Sequence, residues 1–393
     1  LETKKGALPL LFAVMFLVMV GFGIIIPVMP FYAEELGASP TQLGLLMAVY
    51  SLMQLLFAPM WGRVSDRIGR KPVIMVGIAG LALSFFLMAF STSLWMLFAA
   101  RIIGGLLSSA NMPTVMAYVA DVTSDEDRGK GMGIIGAAVG LGFIFGPAIG
   151  GLFSKNNLST PFFIAGASSL LTFLLVAFIL KESLSPEHRH STKKEKRSLL
   201  DALNSPLSLL FILQLFITLS LSGLEATFAY FAAEKANMDT VHLGYIFMIM
   251  GFAGAIVQGG LVGRLTRKFG EGAIIQAGII ISAIGFGLIL QADSFFTSAV
   301  YMTIFGIGNG IIRPSVSAIL TKKSTSGHGS TTGLLSSFDS LGRIIGPPLG
   351  GWLFSISIGL PYLSGIILSA IALIVYQVFA VRMKKQQNQT LIN

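Results

Sequence analysis

LGLLMAVYSLMQLLFAPMWGRVSDRIGRKPVIMVG (43–77) and LGYIFMIMGFAGAIVQGGLVGRLTRKFGEGAIIQAG (243–278) share one design. Each is an apolar span, a short turn rich in Gly and Arg, then a second apolar span. A tighter pair lies further on: GLGFIFGPAIGGLF (140–153) returns as SLGRIIGPPLGGWLF (340–354). A repeat this long divides the chain into two related halves. In a membrane protein, halves of that kind enclose a transport site.

Composition places the chain in a membrane. Hydrophobic residues make up 54% and charged residues only 11%, against about 25% charged in soluble proteins. That deficit cannot cover a soluble surface. Twelve apolar runs are readable: 7–32, 41–62, 72–91, 94–120, 131–154, 160–180, 206–232, 241–263, 272–291, 294–320, 331–354 and 359–381. Each has roughly the 20 residues that a helix needs to cross a bilayer. The fold class is therefore an all-α polytopic membrane protein, with two pseudo-symmetric halves of six helices each. Short segments of alternating polarity, the mark of a transmembrane β-barrel, do not occur. The expected organisation is an N-terminal half (1–181), a polar linker (182–205) and a C-terminal half (206–393).

The net charge of +9 reports topology rather than nucleic acid. With both termini and every second loop on one side, 22 of the 27 Lys and Arg fall on that side. By the positive-inside rule that side is cytoplasmic. The basic loops then meet anionic lipid headgroups, and no nucleic-acid partner is expected.

Four segments of the first half carry recognisable patterns: GFGIIIPVMPFY (21–32), GRVSDRIGRKP (62–72), ARIIGGLLSSANMP (100–113) and GFIFGPAIGG (142–151). In this order and spacing they resemble the signature motifs of the major facilitator superfamily, and of its twelve-span drug:proton antiporters in particular. The nearest likeness is to multidrug pumps of Gram-positive bacteria that export fluoroquinolones and dyes. The resemblance implies proton-coupled efflux of hydrophobic, often cationic drugs by alternating access. The pump would lie in a bacterial cytoplasmic membrane, as a monomer, with drugs, protons and lipids as its partners. It needs no cofactor and no metal, since the proton gradient supplies the drive. A carrier for one sugar or lipid is the rival reading. An enzyme is not expected, because no nucleophile–base set or metal-ligand spacing is visible. No GxxxxGK[ST] phosphate loop occurs, and there is no cysteine.

Ionisable groups inside a membrane are costly and mark function. Five fall within spans: Arg101, Glu225, Arg313, Asp339 and Arg343. Asp339 and Arg343 are i,i+4, share a face and can pair. Arg313 lies about as deep as Asp339, some 12 Å from the cytoplasmic edge, so the two can meet. Glu225 has no evident local partner. The resembled pumps carry an acid matching Glu225 and use it in proton coupling. Their second acid, on span ten, is replaced here by Gly310, and Asp339 is expected to take its role. Arg101 lies in the outer part of span four. The resemblance gives it a part in proton exchange, and its depth would also let it snorkel to the headgroups.

The resemblance makes Asp66, Arg70 and Asp121 a cytoplasmic gate, with Arg70 paired to Asp121. Asp66 aligns with Arg267 in the second half, so the acid is unique to the first. Gly146–Pro147 and Gly346–Pro347 are matched candidates for hinges, since Pro interrupts helix hydrogen bonding. Phe16, Tyr50, Gln54, Asn111, Phe143, Glu225, Tyr230 and Asn309 are candidates to line a substrate cavity. Gln214, Phe228, Gln258 and Phe305 extend that set.

Overall fold

The computed structural model describes residues 7–124, 126–184, 207–323 and 328–392, and every regular element among them is a helix. In hydrocarbon the backbone must satisfy its own hydrogen bonds, and a helix does so within one segment. The elements are α1 (Ala7–Glu35), α2 (Pro40–Ile68), α3 (Arg70–Ala89), α4 (Leu94–Ser108), α5 (Asn111–Val122), α6 (Arg128–Phe153), α7 (Thr160–Ile179), α8 (Ser208–Ala236), α9 (Thr240–Ile256), α10 (Val262–Ile289), α11 (Phe295–Lys323), α12 (His328–Ile356) and α13 (Leu360–Ile392).

Among the described residues, ten helical stretches are long and apolar enough to cross a bilayer. One of them, Thr240–Ile289, has 50 residues. At 1.5 Å per residue that is about 75 Å, enough for two passages. Gly270 divides it, with φ 80° and ψ 156° inside the helical run. Gly69, the matching glycine of the first repeat, ends α2 at φ 111°. Both are backbone conformations that favour glycine, so the repeat preserves its turn through one residue type. With α12, of 29 residues, the lengths are consistent with twelve passages.

Two spans differ in detail from the expected runs. The span expected over 94–120 is two helices, broken at Ser109–Ala110. Pro113 has no N–H to offer the carbonyl of Ser109, and the helix restarts there. A π-helical turn, Val257–Leu261, interrupts the helix after α9. By contrast, α6 and α12 run on through Pro147 and through Pro347–Pro348.

Contacts divide the chain into two compact units: residues 1–194 with 237–248, and residues 195–236 with 249–393. Inside the first unit, α1 packs on α6, and α3 packs on α4 and α7. The second unit repeats the scheme: α8 packs on α12, and α10 on α11 and α13. Most of the linker expected over 182–205 lies outside the described residues.

Glycine sets the closeness of the α1–α6 and α8–α12 pairs. A Cβ on Gly146 would stand 2.7 Å from the Val20 carbonyl oxygen and 2.8 Å from Gly23 Cα. A Cβ on Gly350 would stand 2.9 Å from the Gly223 carbonyl oxygen. With no hydrophobic effect to draw helices together in lipid, such close backbone approach supplies the attraction. The second unit also has an apolar layer in which Leu213 and Ile217 of α8 meet Ile279, Ile312, Phe338 and Tyr376.

Candidate functional site

In the second unit, α8, α11 and α12 bring two acid–arginine pairs together. Arg313 of α11 reaches Asp339 of α12, with Nη2 2.8 Å from Oδ2. The other oxygen of that carboxylate accepts two more hydrogen bonds. Gln214 Nε2 donates to Oδ1 at 2.7 Å and Thr218 Oγ1 at 2.8 Å. Gln214 and Thr218 are i,i+4 on α8, so one face of that helix serves the acid. The second pair joins Arg343 Nη1 of α12 to Glu225 Oε2 of α8 at 3.3 Å.

The Arg313–Asp339 pair is the one that depth along the spans allowed, and the other pair was not foreseen. Arg343 does not pair with Asp339, one turn away on the same helix. It pairs with Glu225 on α8, and Glu225 therefore has a partner. The physical reason is the facing of whole helices: α8 lies along α12 and presents Glu225 to Arg343 at one depth, and Gln214 and Thr218 to Asp339 at the other. An i,i+4 contact within a helix is worth only about 0.2–0.5 kcal/mol, little against a carboxylate that would otherwise stay unpaired in an apolar layer.

In the first unit Arg101 is 3% exposed. Its guanidinium carbon sits 4.3 Å from the centre of the Tyr50 ring, and Nε donates to the Leu46 carbonyl at 3.4 Å. The headgroup-directed reach that its depth permits is not taken. The side chain turns inward because the Tyr50 face offers a cation–π contact. The Tyr50 hydroxyl lies 2.7 Å from Ser108 Oγ, and Gln54 Nε2 donates to it at 3.4 Å. Phe22 stacks obliquely on Tyr50 at 5.8 Å and edge-on to Phe143 at 5.6 Å. Tyr50, Gln54 and Phe143 thus belong to one cluster, together with Arg101.

The remaining cavity candidates are more scattered. Phe16 is half-buried and stacks on Phe12 at 6.4 Å. Asn111 is 2% exposed, lies against Gly77, and neither end of its amide has a hydrogen-bond partner. Tyr230 is buried against Phe354 at 5.9 Å, and Asn309 is half-buried on α11.

At the α2–α3 turn, Arg70 gathers two acids. Its Nη1 donates to Asp66 Oδ1 at 2.6 Å and to Ser65 Oγ at 2.8 Å, and its Nε donates to Asp121 Oδ2 at 3.0 Å. The expected Arg70–Asp121 pair is present, and Asp66 joins it. Glu182 opens the polar linker in the sequence. Its carboxylate accepts the backbone N–H groups of Arg70 at 2.8 Å and Lys71 at 3.1 Å. An acid at the N-terminus of α3 satisfies two unpaired donors and faces the positive end of the helix dipole. Nothing near 182 in sequence announces that role, because its partners lie about 110 residues earlier. Among the described residues no group of three or more His, Cys, Asp or Glu is placed to hold a metal.

Apolar helices in two repeated units, with acid–arginine pairs inside the spans, define a secondary membrane transporter. The family model of the Major Facilitator Superfamily matches residues 11–324 and 259–391, and the chain belongs to that superfamily. It is 33% identical to multidrug resistance protein 2 of Bacillus subtilis (strain 168), over 92% of each chain. It is 28% identical to quinolone resistance protein NorA of Staphylococcus aureus (strain MSSA476), over 95% of this chain and 97% of that one. Among solved structures, the nucleoside transporter NupG superposes with a TM-score of 0.77 at 15% identity, covering 98% of this chain and 100% of NupG. The human organic anion transporter MFSD10 (TETRAN) gives 0.70 at 22% identity, covering 95% and 99%. At such identities the structural likeness speaks for the fold alone.

Proposed function

We propose that this protein is a drug efflux pump of the cytoplasmic membrane. It exchanges hydrophobic, often cationic compounds for protons by alternating access. The observation that carries this reading is the pair of membrane-embedded carboxylates in the second unit, each held by an arginine from another helix. A carboxylate in an apolar layer is neutral when dry and unpaired, and ionised when a cation or water reaches it. Asp339 and Glu225 therefore gain and lose protons as access alternates, with Arg313 and Arg343 competing for them. Arg101, held over Tyr50, exchanges protons with the cavity lined by Tyr50, Gln54 and Phe143. The relatives named for multidrug and quinolone resistance support the substrate class. The Arg70–Asp66–Asp121 cluster acts as the cytoplasmic gate, and Gly146–Pro147 and Gly346–Pro347 are where α6 and α12 bend. Both termini are cytoplasmic, and a single chain suffices.

The test is ethidium transport by the purified chain in proteoliposomes with an imposed pH gradient. Uptake should follow the gradient and stop when an uncoupler collapses it. Transport indifferent to the uncoupler would sink the mechanism. Transport of one compound alone, from a panel of unrelated dyes and quinolones, would point to a carrier for a specific solute instead.

A further inference from the structure

Asp339 has three donors in this structure: Arg313 on Oδ2, and Gln214 and Thr218 on Oδ1. That set suits a carboxylate, which only accepts. A neutral carboxyl is different, because its O–H needs an acceptor. One acceptor is already in place. Gln214 is 2% exposed, and its carbonyl oxygen Oε1 is buried with no hydrogen-bond partner. An orphaned buried acceptor costs stability in the state where it is unmet, and so calls for a reason. Rotating the terminal amide by half a turn exchanges Nε2 for Oε1 at the same place.

We propose that Gln214 is a positioning residue that serves Asp339 in both protonation states by reversing its amide. This rests on the reading that Asp339 carries a proton during transport. In the charged state the amide N–H₂ donates to Oδ1, as seen here. When Oδ1 takes one proton from solvent, its charge falls to zero and the new O–H donates to Gln214 Oε1. No other covalent bond forms or breaks. Thr218, whose hydroxyl both donates and accepts, follows either state; Gln214 Nε2 also reaches its oxygen at 3.2 Å. Among the described residues the charged and titratable groups around the acid are few. They are Arg313 from α11, Arg343 one turn along α12 with its partner Glu225 of α8, and Tyr376 of α13, which shares the apolar layer with Phe338.

The pH profile of ethidium transport by the full chain in proteoliposomes distinguishes this from a packing role. Gln214→Met keeps the volume of the side chain but removes both the donor to the charged acid and the acceptor of the neutral one. Gradient-driven transport should fall about tenfold at every pH, with the midpoint of the profile held. Gln214→Asn falls short by one methylene and should behave the same way. Gln214→Glu places a second acid beside Asp339 and should move the midpoint to higher pH. Wild-type transport rates across the whole profile in both Gln214→Met and Gln214→Asn, with Asp339→Asn still abolishing gradient-driven transport, overturn the role of Gln214 alone. If Asp339→Asn retains gradient-driven transport with the wild-type profile, the reading of Asp339 as a proton carrier fails, and this inference with it.

Discussion

The Arg343 guanidinium stands 3.3 Å from the Glu225 carboxylate, joining α12 to α8, while Asp339 one turn away on α12 is held by Arg313 of α11. Two acids and two arginines that could have formed one local cluster are instead sorted into two interhelical pairs. Each acid can then be uncharged without releasing the other.

Removing one partner of such a pair leaves a stranded charge, which costs more than removing both. Arg343→Met should lower stability by about 1–3 kcal/mol. The Glu225→Gln/Arg343→Met double variant should recover most of that loss. Melting temperatures in detergent for the two singles and the double close the cycle. Additive losses would mean that the two side chains do not interact.

Arg70 holds Asp66 and Asp121 with different nitrogens of one guanidinium. Lys carries the same charge but not the planar fork. Arg70→Lys should therefore reduce ethidium efflux nearly as much as Arg70→Ala. Efflux retained by Lys and lost with Ala would reduce the cluster to a charge balance.

The glycines of α6 are not equivalent. A side chain on Gly146 meets the backbone of α1, which cannot move aside as a flexible side chain would. Gly146→Ala should cost about 1–3 kcal/mol by overpacking, seen as a lower melting temperature and weaker efflux. Gly140 has open space around its Cα, and Gly140→Ala should leave the melting temperature unchanged. Equal tolerance at both positions would remove close packing as the reason for the glycine at 146.

Asp239 lies just before α9, outside the spans. Partial burial pushes its carboxyl up. The hydrogen bonds from the His242 N–H at 3.0 Å and the His242 ring at 2.6 Å outweigh this and hold it below its ordinary value. A lowered carboxyl stabilises the fold above its unfolded value and loses that contribution as pH falls through the folded one. Wild type should melt slightly higher than Asp239→Asn at pH 7, and the gap should close below about pH 4. A gap that persists in acid would point to a cause other than the charge.

Much of this was legible in the chain. Apolar runs of bilayer length, the repeat and the basic loops define a two-part helical membrane protein, because hydrocarbon tolerates few other backbones. The five charges within spans announce themselves because charge there is expensive. Intrahelical spacing was a poorer guide. It put Arg343 beside Asp339 and left Glu225 alone, and depth alone let Arg101 reach the headgroups. The break at Ser109 had its cause in the chain, at Pro113, though the expected span runs through it. The π turn at Val257–Leu261 and the capping of α3 by Glu182 were not legible, since they depend on local hydrogen bonding or on neighbours remote in sequence.

Sequence by itself determined which residues form spans, which turns rich in Gly and Arg join them, and which side chains carry charge into the membrane. Depth along the spans already allowed Arg313 to meet Asp339, and the family resemblance paired Arg70 with Asp121. Tertiary structure alone decided the rest: Arg343 with Glu225, Asp66 with Arg70, Arg101 with the face of Tyr50. The helical period states which residues share a face of one helix. Only packing states which other helix that face meets, and in an apolar medium a buried charge takes the partner that packing brings to it.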